Sequence, residues 1–354
     1  MQVVSLPAHF TRSEGARVRE SIALIFLEHY AEVGCRRAAP VPLTSGVDAS
    51  VIFVGSAISV LKPLIVQRSI PEQGIALAQP SLRTHNAGSL LRPGFSFEWG
   101  GLFTDLALLA PIETMVPLMD HTLSFFLDAL GFAPGDLRLR VSTVDADLLQ
   151  LCRSTGRPIE LEIDTHASSY YRHRIGMKDV VGRNFNFALR RPRSDEYRDV
   201  GNFIVFEDAE RDHTFLEVGF GDTTILRAWY NLDHVLDCFP FPSLGIVSLA
   251  DGRLLEDTVA VSVALWREGL RPSSRDSSSM LLAKYVRALY HVSDGVGLSL
   301  TGLEKVIAHY EGAAYQGSAR VAHELVAHLS VNAERIEAAV CRTRDGKGES
   351  GRER

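Results

Sequence analysis

Cysteine is scarce in this chain of 354 residues: Cys35, Cys152, Cys238 and Cys341 are the whole supply. Scattered singly, they have neither the paired spacing of a zinc site nor the density of a disulfide scaffold, and they read as reduced structural thiols. Long apolar runs are missing as well. None approaches the roughly 20 residues that cross a bilayer, and Met1 to Phe10 lacks the charged start and apolar stretch of a signal peptide. The expectation is a soluble, cytoplasmic protein with no membrane partner. Excess charge is small, 37 basic against 43 acidic side chains for a net −6, so nothing draws the chain to nucleic acid in general and DNA is not an expected partner. A local patch for RNA stays open. No internal repeat or low-complexity run is present. What remains is the composition of an ordinary globular enzyme, 46% apolar and 23% charged, long enough for two domains.

The densest chemistry lies in Ile75 to Ala110, where two arginines, an asparagine and a glutamate sit between apolar runs. The stretch reads as strand, polar loop, strand: a first strand ending at Leu82, a loop holding Arg83, His85, Asn86 and Arg92, and a second strand carrying Phe95, Phe97 and Trp99 with Glu98 among them. Two permanently charged guanidinium forks at a sheet end suit phosphate or carboxylate. On charge alone, however, a solvated surface hairpin is the simpler reading.

Around this stretch the pattern alternates. Ala16 to Val33 has helical spacing with Gly34 as its stop, and Val51 to Val54 reads as a buried strand. Met115 to Leu130 is an apolar helix with Pro117 in its first turn and Gly131 at its end. Strands follow at Leu137 to Val141 and Ile159 to Ile163, with a short helix from Asp145 to Cys152 between them. Gly182 to Leu189, Asn202 to Phe206 and Thr214 to Gly221 are further strands, the first two separated by a charged loop, and a helical pattern then runs through Leu226, Trp229, Leu232 and Val235. From Leu244 on, Glu256 to Trp266, Ser277 to Tyr290, Thr301 to Tyr310 and Arg320 to Val340 are all helical. The last dozen residues carry almost no apolar side chains and are expected to be disordered.

Several segments together resemble the class II aminoacyl-tRNA synthetases, and most closely the alanyl-tRNA synthetase catalytic region followed by its helical tRNA-recognition domain. SLRTHN and RPGFSFEWGGLF are similar to that family's C-V-R-A-G-G-K-H-N and R-H-H-T-F-F-E-M-L-G-N-F. IFVGSAI, NFIVF, LEVGFGDTTILRA and GLRPSSRDSSSMLLAKYVRALYH each have a counterpart in order. The resemblance covers roughly residues 18 to 340. It implies an α+β fold, an antiparallel sheet flanked by helices over 1–242, an all-helical domain over 243–342 and a tail over 343–354. It also implies ATP and Mg2+ as cofactors, and an amino acid as substrate.

The resemblance assigns roles residue by residue. Arg83 holds the ATP α-phosphate and the amino-acid carboxylate, Asn86 matches a family asparagine at the nucleotide, Arg92 reaches the outer phosphates, and Phe97 and Glu98 lie near the adenine. Gly219 and Gly221 belong to the motif 3 region, Glu217 stands where the family's aspartate binds the substrate ammonium, and Asn202 with Phe203 replaces a tryptophan and asparagine of the amino-acid pocket. No metal-binding motif is implied.

Departures from the pattern narrow the expectation. The loop from Arg83 to Arg92 is short, where the family's meets the tRNA acceptor end. The helical domain carries Leu282, Ala283 and Val286 in place of arginines, with only Arg287 left, and Ser274 in place of a selective asparagine. After Gly221 come Asp222, Thr223 and Thr224 where the motif 3 arginine is due, leaving Arg227 one turn later as its substitute. Loss of several phosphate-facing cations weakens nucleic-acid binding by orders of magnitude. The leading expectation is therefore an AMP-forming ligase that activates an amino acid and passes it to an acceptor other than tRNA. A minimal tRNA-charging enzyme without editing, and an inactive paralogue that binds or regulates, are the alternatives.

Overall fold

The computed structural model describes residues 5–92, 94–191, 194–315 and 320–345, with the backbone alone from 339 onward. Its centre is a nine-stranded mixed sheet. The strands are β1 (Arg36–Arg37), β2 (Ile75–Leu82), β3 (Leu102–Pro111), β4 (Leu137–Val141), β5 (Glu160–Ile163), β6 (Arg172–His173), β7 (Val180–Arg190), β8 (Tyr197–Asp208) and β9 (His213–Gly221). Their order is β1-β2-β3-β9-β8-β7-β4-β5, with β6 on β7. The strands from β2 to β4 in that order are antiparallel, while β1 beside β2 and β5 beside β4 are parallel. The sheet is thus mixed at its edges rather than antiparallel throughout.

Successive side chains of a strand point to opposite faces, and here the two faces differ in chemistry. On one, Leu106, Leu108, Phe185, Phe187, Phe203 and Phe220 join the main core beneath α1 (Gly15–Glu32) and α3 (Met115–Ser124). On the other, Ala107, Leu109, Ile204, Phe206 and Phe215 are covered by Ala57, Ile58, Leu61 and Ile65 of α2 (Ala57–Val66). That single short helix cannot roof the whole face. Beyond its first residues the same face carries Asp105, Asn186, Asn202 and Glu217, and opens as a cleft.

Two further short helices flank the sheet, α4 (Ala146–Arg153) and α5 (Asp222–Trp229), and four longer ones follow: α6 (Leu249–Arg267), α7 (Ser277–Gly295), α8 (Leu300–Ala314) and α9 (Arg320–Asp345). Ser248, Asp276 and Ser299 each accept a backbone N–H three residues on, which starts α6, α7 and α8. The apolar core runs without interruption from Val18 and Phe220 to Val261 and Leu325. Polar ties cross the same junction: Asp257 Oδ1 accepts from Gly101 N at 2.6 Å, and the Glu268 carboxylate accepts from Leu43 N and Thr44 N, each at 2.8 Å.

Three expectations need correction. Val51 to Val54 is not a strand; Val54 makes one backbone bond to Leu43 and one to Leu82, while Val51 and Ile52 face solvent. The second strand of the central hairpin starts at Leu102, not among Phe95, Phe97 and Trp99. Side chains hold that segment instead: Asn86 Nδ2 donates to Trp99 O at 2.9 Å, and His234 Nε2 lies 2.8 Å from Phe97 O. The charged loop after β7 is shorter than expected, because Tyr197 to Asp199 pair with β7 and lengthen β8, although 192 and 193 lie outside the described residues. Elsewhere the helix after Gly221 ends at Trp229, leaving Leu232 and Val235 beyond it, and α3 widens into a π-helical turn, Phe125–Ala129. The tail expected from 343 lies outside the described residues from 346 on, α9 running to Asp345.

The buried end of α5 is pinned by one ion pair. Asp222 Oδ2 meets Arg19 Nε of α1 at 2.7 Å, while its Oδ1 accepts from Thr104 N of β3 at 2.8 Å. Arg19 stacks 4.3 Å above the Phe239 ring. Asp222→Ala leaves a buried guanidinium without its counter-charge and should lower unfolding free energy by about 3–5 kcal/mol in a denaturant titration. A loss under about 1 kcal/mol would show that the pair does not hold α1 to the sheet.

Candidate active-site cleft

The open part of the sheet face forms a cleft of about 390 Å³. Its floor follows from register. Asp105 on β3 lies opposite Gly221 on β9, Ala107 opposite Gly219, and Leu109 opposite Glu217. On the far side of β9, Gly219 faces Asn202 of β8, which in turn faces Asn186 of β7. Gly219 is thus the centre. A Cβ built on it would stand 3.9 Å from Asp105 Oδ1 and 4.0 Å from Glu217 Oε1, so its absence leaves the space between two carboxylates free.

Glu217 is 5% exposed. Among the described residues its side chain meets no hydrogen-bond donor and no cation. Burial pushes its pKa up to about 8, and the neighbouring Asp105 adds to the rise. Asp105 is also raised by burial, to about 6, against the pull of a 2.8 Å bond from Ala57 N and of Arg83. That bond places the Asp105 carboxylate at the start of α2, where the helix dipole favours it.

Arg83 extends from the end of β2 with its guanidinium 4.2 Å above the Phe103 ring and 5.9 Å from Trp99. Among the described residues it has no acidic partner in contact. Burial draws its pKa below the usual range, and Asp105 and Asp222 partly restore it. One free cation and one free carboxyl therefore share a single cleft. The geometry suits a zwitterion, whose carboxylate meets Arg83 and whose ammonium would favour the ionised form of Glu217.

The far wall is a hydrogen-bonded network. Asp199 Oδ1 accepts from Arg140 Nη1 at 2.7 Å, and its Oδ2 accepts from the Tyr170 hydroxyl and from Asn186 Nδ2 at 3.3 Å. Asn186 Oδ1 accepts from Asn184 and Asn202, each at 2.6 Å. His173 also lines the cleft, its pKa lowered by burial.

Of the site residues expected from sequence, Arg83, Asn202, Glu217, Gly219 and Gly221 come together here. The others stand elsewhere. Phe203 points from β8 into the main core and stacks on Phe185 at 5.1 Å, because it alternates with Asn202. Asn86 is spent on Trp99 O, and Phe97 packs against Phe95 and His234. Arg92 lines a separate hollow with Asp251 and His291. Arg227 reaches Asp233 O at 2.8 Å and Glu98 at 3.3 Å, and Glu98 also pairs with Arg198; all three lie outside the cleft. Arg227 lines a smaller pocket with Val200 and Thr224, which also line the cleft.

Sequence reasoning missed Asp105, Asp199 and His173. Asp105 did carry a signal, a lone carboxylate in the apolar run LFTDLALL, which a buried strand does not tolerate without reason. Asp199 carried none. It sits in a stretch of charges whose pairing only the fold determines.

No family model and no curated protein matches the chain. Among solved structures it is similar to one described as threonyl-tRNA synthetase ThrRS-1 from Aeropyrum pernix, at 13% identity and a TM-score of 0.43, over 93% of this chain and 88% of that one. It is also similar to asparaginyl-tRNA synthetase from Pyrococcus horikoshii in complex with asparaginyl-adenylate, at 10% identity and a TM-score of 0.39, over 65% of this chain and 68% of that one. A third, aspartyl-tRNA synthetase from Entamoeba histolytica, has 9% identity and a TM-score of 0.37, over 66% and 60%.

The Glu217 shift has a sign that can be checked. Its carboxyl ionises near 4.5 in the unfolded chain and near 8 in the fold, so between those values the fold holds the extra proton and loses stability as pH rises. Glu217→Gln removes this loss. It should leave unfolding free energy nearly unchanged at pH 4.5 and raise it by on the order of 4–5 kcal/mol at pH 8.5. A difference that does not vary with pH would show that Glu217 is not the titrating group.

Proposed function

We propose that the cleft binds a free α-amino acid and activates it with ATP as an aminoacyl-adenylate, which is then passed to an acceptor other than tRNA. The observation that carries this reading is the placement of Arg83 and Glu217, a guanidinium and a carboxyl both unpartnered among the described residues, in one cleft. An ammonium on Glu217 supplies the counter-charge that the fold withholds. A carboxylate on Arg83 completes the zwitterion, and two contacts fix its direction.

Activation then needs the amino-acid carboxylate to approach a phosphate against like charge. A carboxylate oxygen attacks the α-phosphorus, the bond from that phosphorus to the bridging oxygen breaks, and pyrophosphate leaves. The Arg83 fork faces both anions at once and offsets the charge that accumulates between them. Stacking on Phe103 keeps the fork oriented. In the second half, an acceptor nucleophile attacks the acyl carbon and AMP departs. Mg2+ accompanies ATP; no cluster of three His, Cys, Asp or Glu able to hold an ion occurs among the described residues, so no step is assigned to the metal.

Transfer away from tRNA is supported by the connection after Arg83. It begins as a short 3-10 turn, His85–Gly88, packed beside α7. A second reading is supported by Arg92 and Arg227, which both lie outside the cleft. Without them the protein binds an amino acid and does no chemistry on ATP.

ATP–pyrophosphate exchange across a full amino-acid panel separates the two. Exchange with at least one amino acid, lowered about 100-fold or more by Arg83→Ala with the melting temperature retained, is the expected outcome. Amino-acid binding with no exchange for any member would select the binding protein. Exchange unchanged in Arg83→Ala would remove that residue from the site.

A further inference from the structure

If the cleft is an amino-acid site, as proposed above, its far wall is where the substrate's side chain ends. An amino acid whose ammonium meets Glu217 has its side chain directed along the floor, away from Arg83. Gly219 leaves that floor clear. Neighbouring strands are about 4.8 Å apart, so Asn202 lies one strand from β9 and Asn186 two, roughly 5 and 10 Å away. A side chain of four or five atoms spans that distance.

Most donors at this wall point at its own acceptors, Asn186 and Asn202 each keeping one amide N–H. The Tyr170 hydroxyl, Arg140 and Asn186 Nδ2 all point at Asp199, and Asn184 and Asn202 both donate to Asn186 Oδ1. Acceptors are left over. Among the described residues Asn202 Oδ1, which lines the cleft, has no partner, and the Asp199 carboxylate beside it can still accept. A ligand arriving here is asked to donate hydrogen bonds.

Charge points the same way. Asp199, the carboxylate of this group that lines the cleft, shares its one guanidinium, Arg140, with Glu162, so its charge is only partly offset. A zwitterion that satisfies Arg83 and Glu217 does nothing for this remaining negative charge. A cationic side chain neutralises it and supplies the N–H donors.

We infer that the cleft selects an amino acid with a long basic side chain, an amine or guanidinium that ends against Asn202, Asn186 and Asp199. Apolar side chains would leave the wall's acceptors unmet, and acidic ones would meet Asp199 as a like charge.

Isothermal titration calorimetry of the full chain with lysine, ornithine, arginine, glutamine, norleucine and glutamate tests this directly. The expected result is that at least one basic amino acid binds tenfold or more tightly than norleucine and glutamine. Asn202→Leu and Asp199→Asn, each checked for an unchanged melting temperature, should collapse that ratio toward one, while norleucine affinity stays or rises. Tighter binding of glutamine or norleucine to the wild type would overturn the basic side chain yet leave an amino-acid cleft. A basic preference that survives both variants would overturn the assigned wall. Failure of every amino acid to bind would overturn the inference together with the reading on which it rests.

Discussion

A carboxyl group held out of water with no cation to meet it is the constraint around which this molecule is arranged. Glu217 stands in the middle of a sheet, its cross-strand neighbours Leu109 and Ile204, in a position that an apolar residue would fill at no electrostatic cost. The fold raises the pKa of the group rather than neutralising it with a partner of its own. Such an arrangement is costly in the empty protein and becomes favourable when a ligand brings the missing charge. Arg83 is its complement, a cation laid on an aromatic ring rather than on a carboxylate.

The rest of the structure keeps these two groups in place. Asp105 ties the start of α2 to β3, which sets how far the helix roofs the face and where the cleft begins. Arg19 and Asp222 lock α1, β3 and α5 together beside Gly221. Asp257 of α6 accepts from Gly101 just before β3 starts, so the helical region holds the hairpin that carries Arg83. Its pKa is pushed up to about 7 by burial, a third carboxyl whose environment is set by packing rather than by a counter-ion. Asp257 is a tie; Glu217 faces open space.

Periodicity made much of the fold legible. Alternation in LRLRV and three- and four-residue spacing in the last hundred residues fall where β4 and α6 to α9 stand, because those elements bury one face against a single core. It failed at Phe95 to Trp99, where apolar and polar residues alternate but side chains from Asn86 and His234 replace the ladder. It failed also at Val51 to Val54, too short for spacing to separate a strand from a packed turn. Within the site, Arg83 and Glu217 were legible from motif resemblance. Phe203 was matched by resemblance together with Asn202, although strand geometry sends neighbours to opposite faces. Arg92, Glu98 and Arg227, also singled out by resemblance, stand outside the cleft, since a motif match does not fix the side of a loop that a long side chain takes.

The central claim is that a substrate ammonium converts Glu217 from its neutral to its charged form. Calorimetric titration of the amino acid that binds best, at pH 7 in two buffers of different ionisation enthalpy, counts the protons exchanged on binding. With Glu217 ionising near 8 in the empty cleft, binding should release roughly 0.9 of a proton per ligand, and Glu217→Gln should abolish the release. Binding with no net proton exchange in the wild type would contradict the account.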